Sequence, residues 1–331
     1  MSQTVAGAAS RARQPGGRSV DWRLLLLRGF IVATIASFMA CVAAAIAFAA
    51  APDGGAGGQA PALSLDLAQL EPGAPTSFGT PGTAVQQVPP TVVGAAGGRD
   101  WKVSLGLGIA GRPEYPGSGK IRVSPFPAID VTYLDRVFAS TTEGLGVYAW
   151  RSPSLQVGAS VNVSDDTRYH GKNAILRGLP KIKPGGVASV FVRYQIGAFT
   201  LNADVRERFG YANGVSADVG ANYRFRVGPN WSFAVGPSLT IASAKLNNAF
   251  FGVTASDAAR AAEFGNVILP YRPGGGIRNI SFNISSNYEW NDHWGVASRL
   301  DLATIVGRDG HSPITKQRFQ PSLGSFVYYR F

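Results

Sequence analysis

The chain of 331 residues is poor in the side chains that build disulfide frameworks and metal centres. It contains one cysteine and three widely spaced histidines, His170, His293 and His311. A single cysteine excludes a disulfide framework and a thiolate zinc site, and such spacing leaves little room for a histidine metal cluster. Charge is also scarce, because charged residues make up 15% of the chain, whereas average soluble domains carry about 25%. Glycine (41 residues) and aromatic residues (11%) are abundant instead.

The net charge of +11 at first suggests nucleic acid as a partner. The charge is concentrated at one end, because residues 1–51 contain five arginines and one aspartate. Their removal lowers the net charge from +11 to +7 and leaves no block of five or more basic residues. Nucleic-acid binding is therefore not expected.

Residues 1–51 have the layout of a secretory signal peptide. Residues 1–28 are polar and basic, residues 29–51 carry no charge, and the small residues Ala47 to Ala51 provide cleavable A-x-A sites. A single transmembrane anchor is the alternative, because about 20 apolar residues can span a bilayer. The alanine-rich run with cleavable residues at its end favours cleavage and export through the inner membrane.

Residues 52–99 differ from the rest of the chain in composition. They hold 7 prolines and 10 glycines in 48 positions. Such a segment cannot bury enough apolar surface to offset its ordering entropy. We predict a disordered periplasmic arm here and a separate domain over residues 100–331.

From residue 100 onward, apolar and polar residues alternate with a period of two. In the segment 214–228, Val215, Val219 and Phe225 belong to one face, whereas Asp218 and Arg224 belong to the other. This pattern is typical of a β-strand with one apolar and one polar face. The same alternation recurs in the segments 100–110, 154–163, 187–196, 198–208, 230–241, 278–290 and 293–304.

Two all-β architectures fit this alternation, a soluble β-sandwich and an antiparallel transmembrane β-barrel. The barrel is favoured because the segments are long, because the polar face carries arginine and aspartate, and because the last strand ends on Phe331. A C-terminal aromatic residue resembles the sorting signal that the barrel-assembly machinery recognises. Aromatic residues also stand at strand ends, where interfacial girdles belong: Trp101, Tyr133, Trp231, Trp290, Trp294 and Tyr329.

The lengths of the connections predict the number of strands. Tight turns alternate with the long connections 111–121, 164–184, 242–275 and 306–320, as in barrels with short periplasmic turns and long external loops. If residues 136–150 form a hairpin that turns at Thr141–Gly144, every long loop lies outside. We therefore expect twelve strands, with ten as the fallback. The loop 242–275 could be a lid, an adhesion surface or a disordered cap.

Several short motifs resemble the MipA/OmpV family of outer-membrane proteins over residues 100–331. The motifs are Pro113–Ser118, Pro125–Pro127, Gly144–Gly146, Asp165-Asp166 with Leu176–Leu179, Phe250–Val253, His293–Val296 and Ser312–Ile314, followed by the aromatic C-terminus. The chain departs from the family pattern at Phe250, where tyrosine is usual, and in its Pro/Gly-rich arm. The resemblance implies a bacterial outer-membrane barrel without known catalysis, held in outer-membrane lipid. It further implies a scaffold that contacts a lytic transglycosylase and a murein synthase, or a porin-like role.

The residues themselves indicate no enzyme, no cofactor and no metal site. His293 is expected to be a girdle residue, and Ser312 next to His311 does not make a catalytic triad. A weak metal site at His170 with Asp165 and Asp166 is the alternative to a solvated loop.

Most of the charged residues expected to face the interior are positive. If the barrel is an open pore, its lumen is therefore predicted to favour anions. Ion pairs that fill a closed barrel are the alternative. The residues expected to line the lumen are Lys102, Arg193, Arg206, Arg208, Arg224, Arg226, Arg299, Asp204, Asp218 and Asp301. A porin-like channel or a small-solute-binding barrel is accordingly the alternative to the scaffold.

Overall fold

The computed structural model describes residues 100–164, 166–169 and 173–331. The predicted signal peptide and arm lie outside these residues. The described part is a closed antiparallel barrel in which each strand pairs with its sequence neighbours and β1 pairs with β12. The strands are β1 (Trp101–Pro113), β2 (Ile121–Tyr133), β3 (Val137–Ser140), β4 (Gly144–Arg151), β5 (Leu155–Ser164), β6 (Gly185–Ile196), β7 (Phe199–Phe209), β8 (Gly214–Val227), β9 (Trp231–Ala242), β10 (Gly276–Glu289), β11 (Trp294–Ile305) and β12 (Phe319–Arg330).

The twelve strands predicted from the alternation are confirmed, including the β3–β4 hairpin that decided the count. The apolar face points away from the interior, since Leu107 on β1 is 68% exposed while the neighbouring inward positions carry glycine or alanine. Because side chains alternate along a strand, the polar face of every strand lines the barrel interior. An apolar exterior of this kind is what lipid requires of a membrane barrel.

The seam between β1 and β12 depends on two glycines. Gly106 lies opposite Tyr328, and Gly108 lies opposite Phe326. A Cβ atom on Gly106 would meet the Val327 carbonyl oxygen at 2.4 Å, and one on Gly108 would meet the Ser325 carbonyl oxygen at 2.2 Å. Glycine at these positions therefore lets the inward aromatic rings of β12 lie against the backbone of β1.

One end of the barrel, which we call the short-turn end, consists of tight connections. The turn between β2 and β3 holds Leu134 and Asp135 at φ values of 50° and 54°, which is the conformation of a type I′ hairpin. A belt of aromatic rings runs around this end, with Trp101 and Tyr133 4.4 Å apart and Trp294 and Tyr329 5.1 Å apart between centroids. The stacked rings of Phe225, Phe233 and Trp231 continue the belt.

The opposite end, which we call the long-loop end, carries folded loops. The connection between β9 and β10 contains two short helices, α1 (Ala244–Phe251) and α2 (Ala255–Glu263). Ser243 caps α1, and Thr254 with Asp257 forms a capping box on α2. No helix within the described residues is long and apolar enough to cross a membrane. The loop 242–275 contains these two helices, so the disordered cap is not observed. The lid and the adhesion surface stay predictions.

Candidate functional site

The long loops pack together into a cap, which we define as residues 114–120, 166–184, 243–275 and 306–318 without the masked positions. One buried cluster joins all four segments through Tyr115, Leu176, Val253 and Ile314. A second cluster joins the cap to the ends of β9 and β11, and its members are Ile182, Ala212, Ala242, Leu246, Phe250, Phe251 and Ile305. These two cores make the long-loop end a packed structure.

Hydrogen bonds from buried side chains hold the cap segments to one another. The Arg168 guanidinium donates to the Phe250 carbonyl oxygen over 2.8 Å and to the Pro180 carbonyl oxygen over 3.1 Å. Burial lowers the pKa of Arg168 to about 10, whereas burial and the neighbouring Glu114 raise the pKa of the Tyr115 hydroxyl to about 12. The Ser312 hydroxyl donates to the Phe251 carbonyl oxygen over 2.6 Å. The polar groups thus stabilise the packing of the loops.

Most of the expected lumen charges contact a charge of opposite sign. Arg206 lies 3.2 Å from Asp218, and Arg299 lies 4.0 Å from Asp301. Asp218 also accepts a hydrogen bond from the Thr240 hydroxyl. Asp204 is buried on β7, directly opposite Asp218 on β8.

Three of the expected cations pair with acids that lie outside the strands. Lys102 contacts Asp135 at 2.7 Å, Arg193 contacts Glu143, and Arg208 contacts Asp166. These acids lie in turns or loops, where strand alternation gives no information about direction. The excess of positive charge is therefore smaller than the strand residues alone indicate. Arg224 and Arg226 form no ion pair among the described residues, and both lie toward the short-turn end.

The residues considered for catalysis or metal binding are not brought together. The His293 ring stacks on Tyr329 at the short-turn end, as a girdle residue would, and its Nδ1 lies 3.0 Å from the Arg330 carbonyl oxygen. The His311 Nδ1 lies 2.9 Å from the Gly307 carbonyl oxygen, while Ser312 contacts Phe251. His170 and Asp165 lie outside the described residues. Within the residues that the structure describes, no group of three or more His, Cys, Asp or Glu side chains could hold a metal ion.

A closed barrel with an apolar exterior, an aromatic belt and tight turns at one end belongs to the class of outer-membrane β-barrels. A family model described as "MltA-interacting protein MipA" matches residues 105–331. The chain belongs to this family, and it is an outer-membrane barrel.

Comparison with curated proteins gave no match. Among solved structures, the chain is similar to an outer membrane channel from Pseudomonas putida F1, with 9% identity, a TM-score of 0.37 and coverage of 71% of this chain and 97% of that one. It is also similar to the outer membrane channel DcaP of Acinetobacter baumannii, with 10% identity, a TM-score of 0.32 and coverage of 70% and 96%. A third similar structure is a bacterial polysaccharide outer membrane secretin, with 12% identity, a TM-score of 0.36 and coverage of 69% and 98%.

Proposed function

We propose that the protein is a non-enzymatic outer-membrane scaffold that offers its short-turn end to cell-wall enzymes in the periplasm. The observation that supports this proposal is the difference between the ends. The long-loop end carries a cap with two apolar cores, whereas the other end exposes short turns. Packed loops at one end are unfavourable for the passage of solutes, and an exposed turn is accessible to a partner protein.

The partner class comes from the family. The matching model is described as MltA-interacting, and the resemblance noted above implies a lytic transglycosylase and a murein synthase. The family and the fold are generally non-enzymatic, which supports a scaffold without catalysis of its own. Export through the inner membrane by a cleaved signal peptide, and assembly through Phe331, complete the proposal.

Site-specific crosslinking tests where the partner binds. A photo-crosslinkable residue replaces Asn230 or Asp292 in the exposed turns of the short-turn end. The matched control replaces Val267 in the cap, a residue that is 93% exposed. We expect a lytic transglycosylase to be captured from the two turns and not from the cap. Capture from the cap alone, or from none of these positions in a folded barrel, would contradict the scaffold.

A porin-like channel with an anion-leaning lumen is the second candidate, because Arg224 and Arg226 form no ion pair among the described residues. Single-channel recording in a planar bilayer separates the two candidates. The scaffold predicts silence from a folded barrel. Steady conductance with anion preference, reversed by Arg224→Glu with Arg226→Glu, would establish the channel instead.

A further inference from the structure

A cavity lies where the barrel interior meets the cap. The space open to the centres of water-sized molecules inside it is about 30 Å³. Its walls come from the ends of β1, β10, β11 and β12, and Tyr115, Thr167 and Phe251 reach it from the cap. Pro113, Pro116, Phe251, Ala303 and Ile305 make much of its lining apolar.

Arg278 lines this cavity and has no hydrogen-bond partner. The residue is 1% exposed, and its Nε, Nη1 and Nη2 atoms all lack an acceptor. The guanidinium stands over the rings of Phe250 and Phe251, 4.8 Å and 5.1 Å from their centroids. An arginine stays charged in proteins, and a buried charge without hydrogen bonds is costly. The position therefore calls for an acceptor that the surrounding side chains do not supply.

The strand pattern does not explain why Arg278 is buried. Ile280 and Phe282 point outward on β10, so strict alternation would place Arg278 outward as well. An irregularity in the pairing of β9 with β10, between Ile277 and Asn279, breaks the alternation at this residue. Bulges re-aim side chains at barrel rims and next to binding sites. The backbone is thus shaped so that the guanidinium points inside.

The acids near Arg278 do not serve as its acceptors. Asp166 contacts Arg208, and Asp218 contacts Arg206. Asp309 has two carboxylate oxygens without partners, but no ion pair joins it to Arg278 among the described residues, and it does not line the cavity. Two acids of the cavity wall already have donors, since Glu114 accepts from Asn173 and Asp166 accepts from Arg208. Gln320 accepts from the Gly117 N–H and donates to the Ser118 and Gln317 carbonyl oxygens.

We propose that this cavity binds a small organic carboxylate, with the carboxylate on Arg278 and the hydrocarbon part against Phe251, Ala303 and Ile305. A guanidinium presents paired N–H donors that match a carboxylate, which makes such hydrogen bonds strong. The apolar lining suits a hydrocarbon body better than an inorganic anion. The site lies at the opposite end from the turns of the proposed scaffold, so either proposal stands if the other fails.

The test is calorimetric titration of benzoate into the folded full-length barrel in detergent micelles, with benzamide as the uncharged analogue and empty micelles as the blank. We expect binding of benzoate and much weaker binding of benzamide. Arg278→Gln weakens benzoate binding roughly 10- to 100-fold, because it removes charge-assisted hydrogen bonds. The matched control Arg151→Gln, at the short-turn end, leaves it unchanged.

A second variant keeps the test decisive if Arg278→Gln does not fold. Ala303→Leu fills the cavity while Arg278 remains, and we expect it to abolish binding. Folding of each variant is checked by the heat-dependent shift of the barrel on a gel. Absence of binding to the wild-type barrel, equal binding of benzamide, or unchanged binding in a folded Arg278→Gln or Ala303→Leu variant would overturn the proposal.

Discussion

The two ends of the barrel differ in whether their charged and aromatic residues are exposed or buried. At the short-turn end, Lys102, Asp135 and Arg151 form an exposed cluster, and the aromatic rings face outward in a belt. At the long-loop end, Arg208 and Asp166 are buried together, and Phe250 and Phe251 are buried inside the cap. One end is therefore an interface with lipid and solvent, whereas the other end has a core of its own, as a small soluble domain does.

The largest effect is expected from the aromatic core of the cap. Phe251→Ala removes a fully buried ring that joins α1 to the end of β11, and such truncations cost about 3–5 kcal/mol. Because the strands keep their hydrogen bonds, we expect the cap to open locally while the barrel persists. Hydrogen exchange should show faster exchange of amides in α1 and α2 with unchanged protection in β6–β8. Equal loss of protection throughout the barrel would contradict the idea of a cap with its own core.

Breaking the buried ion pair Arg208–Asp166 is expected to lower the unfolding free energy more than breaking the exposed pair Lys102–Asp135. Arg208→Ala leaves the Asp166 carboxylate buried without its partner, and breaking a buried pair in this way costs about 3–5 kcal/mol. Lys102→Ala removes a partner from an exposed pair, whose side chains are 37% and 49% accessible, and costs roughly 0–1 kcal/mol. Urea unfolding of the two variants in the same micelles measures the difference. Similar losses at the two sites would refute the contrast between the ends.

A pH-dependent effect is expected at Asp309 in the cap. Burial raises the pKa of Asp309 to about 6 against the opposing effect of Arg278, so the folded cap binds more protons than the unfolded chain between about pH 4 and pH 6. Stability contributed by this residue is therefore lost as the pH rises through that window. The asparagine of Asp309→Asn has no proton to lose in this range. The unfolding free energy of the variant should therefore exceed that of the wild type only slightly at pH 4, and by on the order of 1–3 kcal/mol at pH 7.

Thermal unfolding of the two proteins between pH 4 and pH 7 measures this advantage. A constant difference across the range would show that the Asp309 charge is not the cause.

The barrel could be predicted from the sequence because its information is local and repeated. Each strand carries its own alternation, as in the segment 214–228, and the connection lengths fix the number of strands. The cap could not be predicted in the same way, because α1 and α2 have eight and nine residues and are too short to be stable without tertiary packing. The capping box of Thr254 and Asp257 is a local feature at the start of α2 that the sequence analysis did not use.

The interior could be predicted only where alternation holds. Alternation indicates which strand residues share a face. It gives no information about Glu143 and Asp166, which contact their arginine partners from a turn and a loop. Arg278 escapes the pattern for another reason, since the pairing irregularity in β10 reverses the direction that alternation assigns to it. The candidate binding residue therefore lies where the regular pattern fails.

The smallest expected effect concerns a turn at the short-turn end. There the backbone conformation, and not side-chain packing, is expected to determine how a substitution changes the unfolding free energy. Leu134 adopts a φ of 50° in the β2–β3 turn, a conformation that is strained for a branched side chain, and its side chain is 52% exposed. Leu134→Gly relieves this strain and removes only a half-exposed side chain, so we expect the barrel to gain about 1 kcal/mol or less in unfolding free energy. Gly228→Ala, which introduces a Cβ at a φ of 69° with no neighbour within 4 Å, is the matched opposite and should lose a similar amount. Urea unfolding of both variants measures these changes, and a loss in Leu134→Gly would mean that the Leu134 side chain contributes contacts at the short-turn end that outweigh the strain.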